Sequence, residues 1–169
     1  RINNHPQVRA VLSNPNNARI AAAFAPPFVI NSPFREKSLR READKLGKSI
    51  LVYEGGESLR LRKNAIDEGV NGALRVMQHL GMRTKAPQPQ KQSIILSSTK
   101  WVRATSAGMY HSLVRQGEEV SKGDKIGLIT GPFGEFENAV KSSVNGHIIS
   151  VNNNPVINRG DALIHIGVV

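Results

Sequence analysis

Two stretches in the second half of the chain repeat one another, and no other feature restricts the fold as much. Val120-Ser-Lys-Gly-Asp-Lys-Ile126 is echoed 37 residues later by Ile157-Asn-Arg-Gly-Asp-Ala-Leu163. Arg103-Ala-Thr-Ser-Ala-Gly108 is echoed 38 residues later by Lys141-Ser-Ser-Val-Asn-Gly146. Two anchors in the same order and at nearly the same offset imply one motif used twice. Each Gly-Asp reads as a tight turn, with glycine supplying a positive φ and aspartate bonding nearby backbone amides. No helical periodicity appears after the Pro-rich stretch Arg83 to Gln92, so residues 93–169 are expected to form an all-β domain of two repeats.

This repeat resembles the biotinyl/lipoyl carrier family, whose fold is a flattened two-sheet barrel-sandwich. In that family the cofactor hangs on a lysine at the hairpin between the halves. Here that hairpin falls near Gly131-Pro132-Phe133-Gly134-Glu135, and no lysine lies between Lys125 and Lys141. The resemblance of fold stands, and the carrier function fails.

The first half reads differently. Asn14-Pro15 starts a helix that runs through an Ala-rich stretch to Pro26-Pro27, and Phe28-Val29-Ile30 follows as a short buried strand ending at Asn31-Ser32. Ser38 opens a second helix from Leu39 to Leu46, closed by Gly47. Ser49-Ile50-Leu51-Val52-Tyr53 has the length and apolar character of a strand covered on both faces. The longest helix is expected to start at an Asn64 cap and to bury Ile66, Val70, Leu74, Met77 and Leu80 on one face as far as Gly81. Strands alternating with helices predict a largely parallel sheet, in which ligands gather beyond the carboxyl ends of the strands. That rule points to Asn31-Ser32 and to Glu54-Gly55-Gly56-Glu57. The expected organisation is an α/β portion over residues 1–84, a linker over 85–92 and the β domain over 93–169. The opening segment, Arg1-Ile-Asn-Asn-His-Pro6, reads as a loop, and a start on Arg leads us to expect a fragment.

Composition narrows the function. The chain has no cysteine, which excludes disulfides, thiolate metal sites and a cysteine nucleophile. No apolar run is long enough to span a bilayer and no secretory signal opens the chain, so a soluble cytoplasmic protein without membrane contact is expected. The formal charge of +10 is uneven, with 15 Lys/Arg against 7 Asp/Glu in residues 1–90 and 8 against 6 in residues 91–169. The basic residues are scattered, and only 5% of residues are aromatic. A small anionic substrate therefore fits better than nucleic acid, beside the plainer reading of a solvated basic surface. A homo-oligomer is left open.

Glu54 is the strongest catalytic candidate. A carboxylate closing a buried strand, followed by two glycines that let a ligand approach the backbone, is placed for general acid/base work. The competing reading, a salt bridge at a sheet edge, has equal weight. Glu57 is the same idea displaced into the turn. Arg40 and Arg41, on the helix before this strand, are candidates to grip a carboxylate. None of the five histidines, His5, His79, His111, His147 and His165, has the spacing of a zinc motif, although His147 and His165 occupy matching positions in the β domain. No glycine-rich loop has the nucleotide-binding pattern.

Taken together, the parts resemble the C-terminal portion of the succinylglutamate desuccinylase/aspartoacylase family. The residues that carry the likeness are Arg1 to Arg9, Ser38-Leu39-Arg40, Val52-Tyr53-Glu54-Gly55-Gly56-Glu57, the helix to Gly81, and the double Gly-Asp domain ending Gly146-His-Ile-Ile-Ser-Val-Asn-Asn-Asn-Pro155. The resemblance implies the end of a carboxypeptidase-like α/β/α domain followed by the β domain, and a zinc-dependent hydrolase of N-acyl amino acids or similar amides. Glu54 would move the proton, and Arg40 rather than Arg41 would hold a substrate carboxylate. The family's metal ligands, a His-x-x-Glu pair and a later His, have no match here. The Zn2+ of a full-length parent would be bound ahead of Arg1, and this chain alone would be inactive. The alternative is a non-catalytic binding or scaffold protein using the β domain as an interaction module.

Overall fold

In the computed structural model, which describes all 169 residues, the capping signals of the first half act where the sequence places them. Strand β1 (Ile2–Ala10) leads to helix α1 (Pro15–Phe24), whose first amides, Asn16 and Asn17, donate to the Asn14 side chain. Strand β2 (Phe28–Asn31) and helix α2 (Leu39–Lys45) follow, with Ser38 Oγ accepting from Arg41 N. Strand β3 (Val52–Glu57), helix α3 (Lys63–His79) and strand β4 (Ile94–Leu96) complete the α/β part. β1 pairs with β2 and β2 with β4, both in parallel. No helix is long and apolar enough to cross a membrane.

The opening segment is a nine-residue strand, not the expected loop. Pairing overrides its polar composition: Ile2–Asn4 runs antiparallel to residues 150–152, and Gln7–Ala10 runs parallel to β2. Pro6, which has no N–H to give, falls between the two ladders. Side chains add to the pairing, since Asn4 Oδ1 accepts from Ser150 Oγ and the Asn3 backbone carbonyl from Gln116 Nε2.

Helix α3 departs from expectation twice. It starts two residues earlier, with Arg62 at the cap position in place of Asn64 and no side-chain cap. The stripe expected to be buried is open to solvent, Ile66, Val70 and Leu80 being 46%, 53% and 53% exposed. Burial falls instead on Ala65, Gly72 and Arg75. The reason is steric: Phe24 and Tyr53 stack at 5.5 Å between ring centroids, and α3 lies on them through its smallest residues. A Cβ at Gly69 would sit 2.8 Å from Tyr53 Cε1, and one at Gly72 would overlap the Phe24 ring. Arg75 then caps α1, its Nε donating to Phe24 O at 2.8 Å and its Nη2 to Ala25 O at 3.2 Å, while Glu68 balances its charge.

The chain divides into two compact units, Pro6–Gly56 with Leu61–Ser98, and Arg1–His5 with Glu57–Arg60 and Thr99–Val169. The boundary therefore falls at Ser98/Thr99 rather than at 92/93, because β4 pairs with β2, and residues 1–5 join the β unit. The β unit contains β5 (Ser98–Arg103), β6 (Gly108–Ser112), β7 (Glu119–Val120), β8 (Lys125–Thr130), β9 (Glu137–Lys141), β10 (Gly146–Asn152), β11 (Val156–Ile157) and β12 (Ala162–Val168). Its core is aliphatic, with Ile126, Ile129, Ile148, Leu163, Ile164 and Ile166 fully buried.

The two sequence copies interlock by exchange. Gly123 N donates to Ser142 O and Ser142 N to Asp124 O, at 2.8 and 2.9 Å; at the matching positions Gly160 N donates to Ala104 O and Ala104 N to Asp161 O, both at 2.8 Å. The ladders exchange in the same way, Val120 pairing with Gly146 and Ile157 with Gly108. Each turn is also closed internally. Asp124 Oδ2 accepts from Ser121 N at 2.7 Å and Asp161 Oδ2 from Asn158 N at 2.8 Å, beside Gly123 and Gly160 at φ 98° and 91°.

Gly72→Ala is expected to lower stability. Removing a helical glycine gains roughly 1 kcal/mol, but overfilling a packed contact costs about 1 to 3 kcal/mol, and the stacked Phe24 ring has no easy retreat. Chemical denaturation would check the sign. Asp124→Ala and Asp161→Ala are expected to cost nearly equal amounts, about 1 kcal/mol each, whereas unequal losses would show that only one turn holds the β unit.

Candidate functional site

Glu54 lies inside β3 rather than at its end, since the strand starts at Val52 and runs on to Glu57. Its neighbour Tyr53 decides which way it faces. The Tyr53 ring is stacked on Phe24, and its hydroxyl donates to Ala65 O in α3. Because successive strand side chains point to opposite faces, Glu54 is turned to the face away from that contact. Gly55 belongs to the same packing: a Cβ there would lie 2.7 Å from the Tyr53 hydroxyl and 3.2 Å from Ala65 Cβ. Gly56, at φ 80°, lies under Ala65 and Arg62. These glycines make room for α3, where the sequence suggested room for a ligand.

On the face that Glu54 occupies, β1 supplies two donors. Gln7 and Arg9 alternate with Val8 and Ala10, which enter the core with α1. Gln7 Nε2 and Arg9 Nε both donate to Glu54 Oε2, each at 3.0 Å, and Oε1 accepts nothing from the chain. The Gln7 amide can be oriented only one way, because an ionised carboxylate accepts and cannot donate. Gln7 is fully buried, and its Oε1 finds no donor in the chain. Sequence reading missed both residues, although the polar/apolar alternation Gln7-Val8-Arg9-Ala10 was the available signal.

The helix arginines are committed elsewhere. Arg40 donates from Nη1 to Ser32 O at 3.0 Å, and from Nη2 to Ser32 Oγ and Pro33 O at 3.1 and 3.2 Å. It thereby fixes the turn that follows β2, at the Asn31-Ser32 position marked as a ligand region. Burial, and after it the positive charges of Arg9 and Arg35, lower its pKa against the opposing effect of Glu54. Arg41 lies between Glu36 at 3.8 Å and Asp44 at 3.5 Å, its Nε buried without a hydrogen bond. Both guanidinium carbons stand about 6 Å from the Phe34 ring centre, at 5.8 and 6.0 Å. Glu57 is apart from this group, with its side chain only 7% exposed and 3.7 Å from Arg60 Nε.

The histidines do not converge. His147 faces Gly167 and His165 faces Ser150 across the β10–β12 ladder, and the His165 ring stacks on Trp101 at 4.1 Å. No three His, Asp or Glu side chains of the chain group in a way that would hold a metal ion. A hollow of about 730 Å³ beside α1 is lined by Leu12, Ala21, Val29 and Ile95, with Lys91 its one titratable side chain.

No protein-family profile and no curated protein sequence matches the chain. Solved structures do share its fold. The apo ectoine utilization protein EutE (DoeB) of Ruegeria pomeroyi superposes with a TM-score of 0.89 at 18% identity, over 99% of this chain and 56% of that one. A succinylglutamate desuccinylase/aspartoacylase of Rhodobacter sphaeroides gives 0.86 at 19% identity, over 98% and 54%. An aspartoacylase family protein of Mesorhizobium loti gives 0.80 at 16% identity, over 98% and 58%. The mixed α/β architecture is therefore that of the succinylglutamate desuccinylase/aspartoacylase fold, and the chain spans about half the length of these structures.

The locking of Tyr53 has a measurable sign. Desolvation, reinforced by the negative charge of Glu68, raises its pKa from 10.0 to about 12. The folded state favours the neutral phenol, so this contribution to stability is complete below pH 10 and is lost as pH rises to about 12. Absorbance titration is expected to show a tyrosinate component near 12 that Tyr53→Phe removes, and the fall in stability over that range should be smaller in the variant.

Proposed function

We propose that this chain is the part of an amide hydrolase that carries the proton-transferring carboxylate, acting on an N-acyl amino acid or a similar small, anionic amide. The observation that carries the reading is the state of Glu54: one carboxylate oxygen is pinned by Gln7 and Arg9, and the other carries no bond from the chain. A general base needs such a fixed oxygen with free lone pairs. The likeness of fold to desuccinylases and aspartoacylases supports the same reading.

In this reading Glu54 Oε1 takes a proton from the attacking water as the water oxygen bonds to the amide carbon. It gives that proton to the nitrogen as the C–N bond breaks, which leaves a carboxylic acid, whose own proton is then lost to water, and an amine, and returns Glu54 to its starting state. Gln7 and Arg9 hold the carboxylate plane throughout. The side chains present do not fit the zinc ion that the family resemblance implies. Zinc in a whole enzyme would be held by other residues, and the proton path through Glu54 uses only groups of this chain. Arg40 fixes the turn after β2 and adds positive charge, and Arg41 is held between Glu36 and Asp44.

We further propose that the β unit is a two-repeat barrel-sandwich related to the biotinyl/lipoyl carriers. The exchanged Gly-Asp turns favour this, and the lysine-free tip at residues 131–135 excludes carriage. Phe133 stands 94% exposed at that tip.

The test is Glu54→Gln, assayed on the longest natural protein that contains this chain against a panel of N-acyl amino acids. The expected outcome is a loss in kcat of roughly 10²- to 10⁴-fold with little change in KM. Retention of most of the turnover would move the proton transfer to another group.

A further inference from the structure

Each of the seven carboxylates among residues 1–90 lies within salt-bridge distance of a cation. The 15 arginines and lysines of residues 1–90 therefore outnumber the 7 carboxylates of the same stretch that pair with them. Arg9 pairs with Glu54 at 3.0 Å, and the positive charges that act on Arg40, those of Arg9 and Arg35, are opposed there by Glu54 alone. This region is net positive and suits an organic anion.

The three arginines of the region whose contacts are defined differ in what they have left to give. A guanidinium has five N–H donors in a plane. Arg40 has placed three on Ser32 and Pro33, and Arg41 is held between two acids. Arg9 has used only Nε, on Glu54, and its terminal amino groups have no acceptor in the chain. Its side chain is 22% exposed, enough to reach a ligand.

We propose that Arg9 is a carboxylate-binding residue, holding Glu54 through Nε and taking a carboxylate of a small organic anion in a bidentate pair through its terminal amino groups. The inference rests on Glu54 being the proton-transferring group and deepens that reading, because one rigid plane then sets the separation between the bound anion and Glu54. The clamp expected at Arg40 moves to β1. Lysine cannot replace Arg9, since a single ammonium cannot present two parallel donors to the ligand while keeping a third on Glu54.

Succinate, titrated into the 169-residue chain with 15N-labelled arginine, is the probe. The expected result is a saturable shift of the Arg9 Nε–H resonance and none with neutral succinamide. Arg9→Gln and Arg9→Lys should each weaken succinate by about tenfold or more, and Arg40→Gln by less than about threefold. Thermal melting of Arg9→Lys controls for folding. The inference is overturned if wild-type chain shows no saturable shift, or if Arg40→Gln abolishes binding while the Arg9 variants keep it. Binding needs no turnover, so either failure leaves the Glu54 reading to its own assay. Conversely, an active Glu54→Gln enzyme would leave an anion site at Arg9 without a catalytic partner.

Discussion

The attachment of two donors to one oxygen of Glu54 is the contact on which the arrangement of the α/β unit turns. Its value is geometric more than energetic. Arg9 and Glu54 are 22% and 36% exposed, and a pair so open to water contributes on the order of 1 kcal/mol or less. Gln7 is a different matter, because it is fully buried and its amide N–H is satisfied only by Glu54. Removing the carboxylate would leave that donor unpaired, at a cost of about 1 to 3 kcal/mol. Glu54 is thus held in place less by its own ion pair than by the penalty its departure would impose on Gln7.

The same contact needs support from behind, which comes from close packing. Tyr53 can lock only if α3 comes near enough for Ala65 O to accept its hydroxyl, and α3 comes near only because Ala65, Gly69 and Gly72 carry little or no side chain. Gly55 removes the remaining obstacle between Tyr53 and Ala65. A row of small residues therefore decides which face of the sheet Glu54 occupies. The helix keeps its larger apolar side chains, Ile66, Val70 and Leu80, on its open side, so the stripe visible in sequence is not the stripe that packs.

What was legible in the sequence was whatever depends on local chemistry. Asn14 and Ser38 cap their helices because a cap needs only a side-chain oxygen and the next turn of backbone. The Gly-Asp repeat was legible because a turn requires those residue types at those positions. The local pattern around Glu54 drew attention to it but could not reveal its partners, because Gln7 is 47 residues away and nothing local links them. The strand at Ile2–Ala10 was misread for the same reason: Asn and Pro disfavour a strand locally, and distant partners impose it. The packing face of α3 was misread because periodicity weights large apolar side chains, whereas close approach selects small ones.

The β unit shows how a repeat detectable in sequence becomes one indivisible body. If each copy closed on itself, either half would be a small sheet with marginal burial. Instead, the turn at Gly123-Asp124 bonds to Ser142 of the second copy, and the turn at Gly160-Asp161 bonds to Ala104 of the first. Neither copy can satisfy its own backbone at these points, so the halves must order together. The aliphatic core made by Ile126, Ile148, Leu163 and Ile166 draws on both copies in the same way. Non-local closure of this kind makes folding slower but leaves the tip at residues 131–135 outside the exchanged bonds. The tip is consequently the part of the repeat on which the exchanged bonds place no demand, and its own constraint is local: Gly134 turns at a positive φ of 74°.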